Sequence, residues 1–342
     1  MRILDPLREP VWDHSVASHL DGTCFHTTAW ARVLHQTYKH QPFYLQFFRR
    51  RRLAALVPLI EIRSPFTSRR GVCLPFSDLC EPLFFEPDVV GLVRDQLLSF
   101  AEQRRWHHIE IRGGRSLRLA AGPTSTFYGH TLVLSSDCAQ MFRRFASSAR
   151  RAIRKADHSE VNAVVVRNRE AVGHFYQLHV ETRRRHGLPP QSASFFRNIY
   201  EHIVKPGVGF IVLAQRRSRT IAAAIFFRFG NNAIYKYGAS DKRFQEFRAN
   251  NLVMWHGIQF LARIGVEKLH FGRTECDNDG LRRFKLSWDT QEEIINYYRV
   301  DPSGRECFTS ARRDSGFHKK VFGRLPLVFN RVAGSIIYPH LD

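Results

Sequence analysis

The sequence predicts an α/β (α+β) chain built twice over, each half a mixed, mostly antiparallel sheet flanked by helices. Three observations predict it. FYLQFFRRRRLAALVPLI (43–60) lies over FIVLAQRRSRTIAAAIFF (210–227) without a gap: an apolar strand, a basic turn and a second apolar strand, with Phe43 on Phe210 and Ala55 on Ala222. AEQRRWHHIEIRGG (101–114) pairs in the same way with FLARIGVEKLHFGR (260–273), each a helix end, a turn and a strand running to Arg112 or Arg273 beside glycine. Both matches occur in the same order, the signature of an internal duplication. The boundary is expected near 130–140. This gives an N-terminal domain over 1–135, a C-terminal domain over 136–305 and a basic, apolar tail over 306–342.

Each half reads as helix, hairpin, further strand, helix, strand. In the first, TTAWARVLHQTYK is the opening helix, capped by Thr27 or Thr28. The 43–60 hairpin follows, then GVCLPFSDLCEPLFF as strand and loop, VVGLVRDQLLSFAEQRR as helix and HHIEIR as strand. In the second, REAVGHFYQLHVETRRRHG is a helix. GFIVLAQRRSRTIAAAIFFRFGNNAIYKYGAS supplies three strands with turns at RRSR and GNN, NNLVMWHGIQFLARIG is a helix, and KLHFGR is the next strand.

With 342 residues, 44% hydrophobic and 13% aromatic, the chain can bury a large core, which argues against disorder. Its 52 Lys+Arg against 31 Asp+Glu give a formal charge of +21. Such a field favours a polyanionic partner: nucleic acid, an anionic membrane face or a phosphorylated carrier. A basic protein with no polyanion to bind is the alternative. The six cysteines are scattered without CxxC spacing, as expected of reduced thiols in the cytoplasm. The start lacks a continuous apolar run of the signal-peptide kind, and no stretch reaches the length of a membrane span.

MFRRFASSARRAIRKA (141–156) reads as one amphipathic helix. At 100° per residue, Arg143, Arg144, Arg150, Arg151, Arg154 and Lys155 fall within a sector of about 140°. Phe142, Phe145, Ala146, Ala149, Ala152, Ile153 and Ala156 take the opposite side. Solvated faces usually mix signs; six like charges call for an external counter-charge, and Arg151, Arg154 and Lys155 are the phosphate candidates.

Several motifs fail. ECDNDG (275–280) resembles the start of a calcium loop, but Glu275 stands where Asp belongs, Leu286 occupies the bidentate-Glu position, and Arg282, Arg283 and Lys285 would repel the ion. No HExxH and no Cys/His set with zinc-ligand spacing is present, and His107-His108 reads as a strand start. There is no GxSxG elbow and no Walker loop. Cys276 has no assignable base. No metal and no tightly bound cofactor are expected.

FHTTAWARVLHQTY, LPFSDLCEPLFF, FYQLHVETRRRHGLPPQ, YKYGASDKRFQEFRANNLVMW and LHFGRTECDNDGLRRFKLSW, within residues 25–298, resemble the FemAB family. These transferases are built from two tandem GNAT-type (acyl-CoA N-acyltransferase-like) domains. The wording is nearest to the FemAB-like proteins of PEP-CTERM/exosortase exopolysaccharide systems. Better-known members move an amino acid from aminoacyl-tRNA onto an amine of a peptidoglycan precursor. The resemblance implies an aminoacyl- or acyltransferase whose donor is aminoacyl-tRNA or acyl-CoA, with a cell-envelope precursor as acceptor. It also puts Phe284 and Lys285 at the transfer centre: Lys285 would stabilise the oxyanion and the Phe284 backbone would help position the nucleophile. A fixed cation in a partly dry site lowers the barrier to amine attack on an ester or thioester; a surface lysine in a basic run is the other reading. Arg273 is a candidate for phosphate or carboxylate, or a salt-bridge partner of Glu275 or Asp277. Glu275 would accept the amine's proton or orient Arg273. Tyr237 and Asn250 are candidate pocket residues, and His186 in RRRHGLPPQ a candidate binding residue. Where a CoA-dependent GNAT domain has a glycine-rich pyrophosphate turn, this chain has DKRFQEFRANN (241–251) with no glycine, which favours a donor held otherwise. The tail suits docking on the body, a partner, or the inner leaflet.

Overall fold

The computed structural model describes residues 1–9, 11–117, 119–307 and 321–341. Among the described residues there are fourteen strands: β1 (Arg2–Leu4), β2 (Gln41–Arg49), β3 (Arg52–Ser64), β4 (Ser68–Val72), β5 (Leu83–Phe84), β6 (Ile109–Arg112), β7 (Ser125–Val133), β8 (Asn162–Val166), β9 (Gly209–Arg216), β10 (Arg219–Phe229), β11 (Asn232–Ser240), β12 (Lys268–His270), β13 (Thr274–Glu275) and β14 (Gln291–Val300). The helices are α1 (Val11–Ala17), α2 (Thr28–Tyr38), α3 (Val90–Gln103), α4 (Cys138–Arg144), α5 (Ser147–His158), α6 (Arg169–Arg185), α7 (Ala193–Ile199), α8 (Ala249–Arg263), α9 (Asp279–Leu286) and α10 (Leu327–Ile337).

The chain divides into two units. The first takes Met1–Tyr128, resumes at Ile294 and ends with the segment from Ile337; the second takes Gly129–Glu293 and a later stretch ending at Ile336. Strand order in the first is β1-β2-β3-β4-β6-β14, and in the second β8-β9-β10-β11-β12-β7. In both, all neighbours are antiparallel except the fourth and fifth strands, which are parallel. Each unit is therefore a mixed, mostly antiparallel sheet, and its last strand comes from the far end of the other half of the chain.

The duplication reaches down to register. Phe43↔Leu59, Leu45↔Val57 and Phe47↔Ala55 in the first hairpin match Phe210↔Phe226, Val212↔Ala224 and Ala214↔Ala222 in the second, a constant offset of 167 positions. Both hairpins carry a bulge at the same place, beside Phe47 and beside Ala214. Both turn on two residues with positive φ, Arg50 and Arg51 in one, Arg217 and Ser218 in the other. A two-residue turn of that kind matches the right-handed twist of the strands it joins. Arginine there costs local strain, which the apolar strands on either side outweigh by burial.

One local expectation holds in position but not in its hydrogen bond, and one is corrected. Thr27 is the N-cap of α2, but its hydroxyl donates to the Cys24 carbonyl, and the Asp13 carboxylate instead takes the Thr28 amide (2.7 Å) and hydroxyl (2.7 Å). The 141–156 stretch is not one helix. It breaks at Phe145, whose extended backbone (φ −60°, ψ 147°) turns the ring into the second unit's core, against Trp255 and Trp288. The single 140° sector thus fails for Arg143 and Arg144, which lie on α4; Arg144 pairs with Asp289 at 2.9 Å. In the tail, 308–320 lie outside the described residues. Within α10, Gly334 lies so close to the Pro190 carbonyl that any Cβ would clash, and Arg331 covers the Tyr176 ring. Among the described residues no helix is long and apolar enough to cross a membrane.

Candidate active site

The stretch that loads opposed charge after the strand KLH resolves into a turn and a short helix in the second unit. β12 ends at His270, three residues before Arg273 rather than at it. Gly272, at φ 72°, takes the left-handed turn that follows; such a backbone is cheap only for glycine. Asn278 caps α9 by accepting from the Leu281 amide at 3.1 Å. The C-terminal carbonyls of α9 are closed by Ser287 Oγ on Phe284 O (2.6 Å) and Thr290 Oγ1 on Lys285 O (3.0 Å).

This frame puts Lys285 indoors, at 2% exposure. Its Nζ donates to the carbonyls of Gly272 at 2.7 Å and Arg273 at 3.1 Å. A buried ammonium is tolerated only when acceptors replace its water, and two consecutive carbonyls beyond Gly272 supply them. The surface-lysine reading is therefore set aside. Phe284 is partly buried against the second unit's core, edge-on to Trp288 at 6.0 Å between ring centroids.

Sequence reasoning missed His130. It lies on β7 with a fully buried side chain, and its Nε2 is 3.0 Å from Glu292 Oε2. Glu292 in turn takes two charge-assisted bonds from Arg282 on α9, both 2.7 Å. That Arg282 hydrogen bond, foremost, holds the Glu292 carboxyl below its usual range. His130 is pushed below the usual imidazole range by burial first and by the Lys285 charge next. A neutral ring facing a carboxylate keeps its proton on Nε2. The Nδ1 atom is buried without a hydrogen-bond partner among the described residues, as is Thr274 Oγ1, next in chain to the carbonyl that holds Lys285. The cluster therefore concentrates its buried positive charge on Lys285. No pattern in YGHTLVL gives His130 away, because its partner is 162 positions distant.

A second feature is the opening of the sheet. β11 and β12 pair only over Asn232–Ile234 with Lys268–His270. Beyond His270, the Phe271 amide goes to the His130 carbonyl on β7, so β12 leaves β11 while β11 runs on to Ser240. The stretch 241–251 then leads into α8. Asp241, 3% exposed, is held below the usual carboxylate range by its Arg243 hydrogen bond first, and also pairs with Arg219. Arg248, at φ 56°, is the N-cap of α8. A parted pair of parallel strands leading to a helix N-terminus offers amide groups to an extended, anionic ligand.

The remaining candidates are dispersed. Tyr237 lies on β11 in an aromatic cluster with Phe175, His179, Phe195, Phe196 and Phe227, a setting of core packing. Asn250, in the first turn of α8, is exposed and donates to Ser240 Oγ at 3.1 Å. Arg273 is half-buried and Glu275 exposed. His186 is the exposed C-cap of α6. The RRRHGLPPQ segment owes its form to other members: Gln191 Oε1 meets the buried His179 Nε2 at 2.8 Å, and Arg183 donates to the Pro189 carbonyl. Arg151, Arg154 and Lys155 stand exposed on α5 opposite buried Ala149, Ile153 and Ala156; the Arg154 guanidinium lies 5.6 Å from the Phe142 ring centre.

Comparisons with known proteins agree with this geometry. Residues 143–286 match the family model of the acetyltransferase (GNAT) domain. No curated protein matches the chain. Among solved structures, FemX is similar at 15% identity and a TM-score of 0.66, over 86% of this chain and 96% of that one. A tandem GNAT protein from the clavulanic acid biosynthesis pathway is similar at 8% identity and 0.56, over 88% and 97%. So is the C-terminal domain of a protein assigned as a lysylphosphatidylglycerol synthetase from Agrobacterium fabrum, at 12% and 0.51, over 84% and 91%. The fold is the GNAT fold, with tandem GNAT proteins among its likenesses, and through the domain matched over residues 143–286 the chain is an N-acyltransferase.

Proposed function

We propose that the chain passes an aminoacyl or acyl group from a phosphate-rich carrier to an amine of a cell-envelope, peptidoglycan or exopolysaccharide precursor, with Lys285 facing the developing oxyanion. The observation that carries this reading is the buried Lys285 ammonium, fixed on the Gly272 and Arg273 carbonyls beside a neutral His130. Attack of an amine on an ester or thioester carbonyl moves an electron pair onto its oxygen, and a cation already desolvated and oriented pays no reorganisation at that moment. Similarity to FemX and to a protein assigned as a lysylphosphatidylglycerol synthetase supports an aminoacyl group. The basic 241–251 stretch without glycine, and the exposed cations of α5, support a tRNA-borne donor. The GNAT domain match supports acyl-CoA as the second reading, its pantetheine lying along β11 where β12 departs. The role in a PEP-CTERM-type exopolysaccharide system rests on the sequence resemblance.

An acceptor of that kind is lipid-linked, and α10 supports contact with an anionic lipid surface: Val328, Phe329, Val332 and Ile336 are exposed on a chain of charge +21. Incubating the protein with amine acceptors and either charged tRNA or acyl-CoA, followed by mass spectrometry, tests the function. A mass increase of one aminoacyl residue supports the first donor, and one acyl group from CoA the second. No adduct from either overturns the reading.

A further inference from the structure

The geometry points to a zinc site in the first unit, built by His107, His108 and Cys307. The ligand-capable atoms of these residues all lie within 4.8 Å of one another. His107 Nδ1 stands 3.3 Å from His108 Nδ1 and 3.7 Å from Cys307 Sγ. With Zn–N of about 2.0–2.1 Å and Zn–S of about 2.3 Å, a tetrahedral ion separates two nitrogens by roughly 3.3–3.4 Å, and sulfur from nitrogen by roughly 3.6 Å. These two separations match two edges of such a tetrahedron. The ring planes of the two histidines stand at 86°, edge to face rather than stacked.

The frame is rigid and comes from separate elements. His107 N donates to the Arg69 carbonyl at 2.8 Å, and the His108 carbonyl accepts from the Gly71 amide at 3.1 Å, fixing both residues at the entry of β6. Cys307 is delivered by a tight turn after β14. Asp301 Oδ1 accepts from Ser303 Oγ and from the Arg305 amide, Gly304 takes φ 81°, and the Cys307 amide bonds the Arg299 carbonyl at 2.8 Å. His107 also lines a cavity of about 670 Å³ whose charged walls are Glu102 and Asp301 together with Arg69, Arg105 and Arg305, from which water would complete the fourth position.

Arg299, whose charge lies near His108, is paired with Glu110 at 2.7 Å. On binding, zinc replaces the thiol proton, which leaves to water, and the thiolate–imidazole set suits zinc among the divalent ions. Sequence spacing cannot reveal such a site, because the cysteine lies 200 positions from His107.

Cobalt(II) titration of the full chain, stripped with chelator, reads the site without reference to transfer activity. The expected result is one equivalent bound per chain, with a thiolate-to-cobalt charge-transfer band and tetrahedral visible bands, both abolished by zinc. Cys307→Ser removes the charge-transfer band. His107→Ala weakens binding by at least the ~10–100-fold seen on loss of supporting partners. His107 is exposed and Cys307 half-buried, so both variants keep the fold, which circular dichroism verifies. Absence of the band in the wild type, or a band that survives Cys307→Ser, overturns the inference.

Discussion

Lys285, proposed above to face the oxyanion, is also a structural residue. Its ammonium satisfies two buried carbonyls as well as supplying charge. Lys285→Ala therefore costs stability, about 1–3 kcal/mol for each acceptor left unsatisfied, and denaturant unfolding should show a lower midpoint with an unchanged m-value. Glu61 gives a second residue-scale test. Burial pushes its carboxyl up, but Trp106, Arg63, Arg69 and Arg104 outweigh burial and hold it down to about 2. A folded pKa below the unfolded value of about 4.3 means stability that is complete above that pH and lost as pH falls toward 2. Thermal melts of wild type and Glu61→Gln across this window should converge as pH drops. A constant gap would show that Glu61 adds no proton linkage. Among the site residues, Lys285 was legible in the sequence only through its family resemblance. His130 and Glu292 were not legible, since strand alternation gives the same pattern for a structural and a functional histidine.

At the scale of elements, the sequence was most legible where period and turn chemistry agree. The β2–β3 and β9–β10 hairpins follow from apolar runs flanking a basic turn, and their shared bulge confirms the ungapped match. It failed at Phe145. Helical periodicity counts a buried phenylalanine as one more apolar position, whereas here its ring is inserted by breaking the helix. The same break isolates Arg151, Arg154 and Lys155 on α5. Replacing all three by alanine removes exposed charge and, at the core's edge, the contact of Arg154 with the Phe142 ring, so the melting temperature should stay within a few degrees. Affinity for tRNA in a filter-binding assay should fall by more than ten-fold, about 1.4 kcal/mol. Unchanged affinity would remove α5 from the donor surface.

At the scale of the molecule, duplication and charge were both readable from the sequence, one in repeated strings and the other in the excess of 52 basic over 31 acidic residues. The exchange of β7 and β14 was not, because no local pattern says which sheet a terminal strand will join. A polyanionic donor predicts binding that weakens steeply as salt rises; binding that is indifferent to salt would point to a donor recognised through its apolar parts. The most direct test of the whole account is the single-turnover transfer rate of Lys285→Met, of similar length to lysine and uncharged, at saturating donor. With a folded variant and unchanged donor affinity, the account predicts a rate about 10²–10³-fold below wild type. A rate equal to wild type would contradict it.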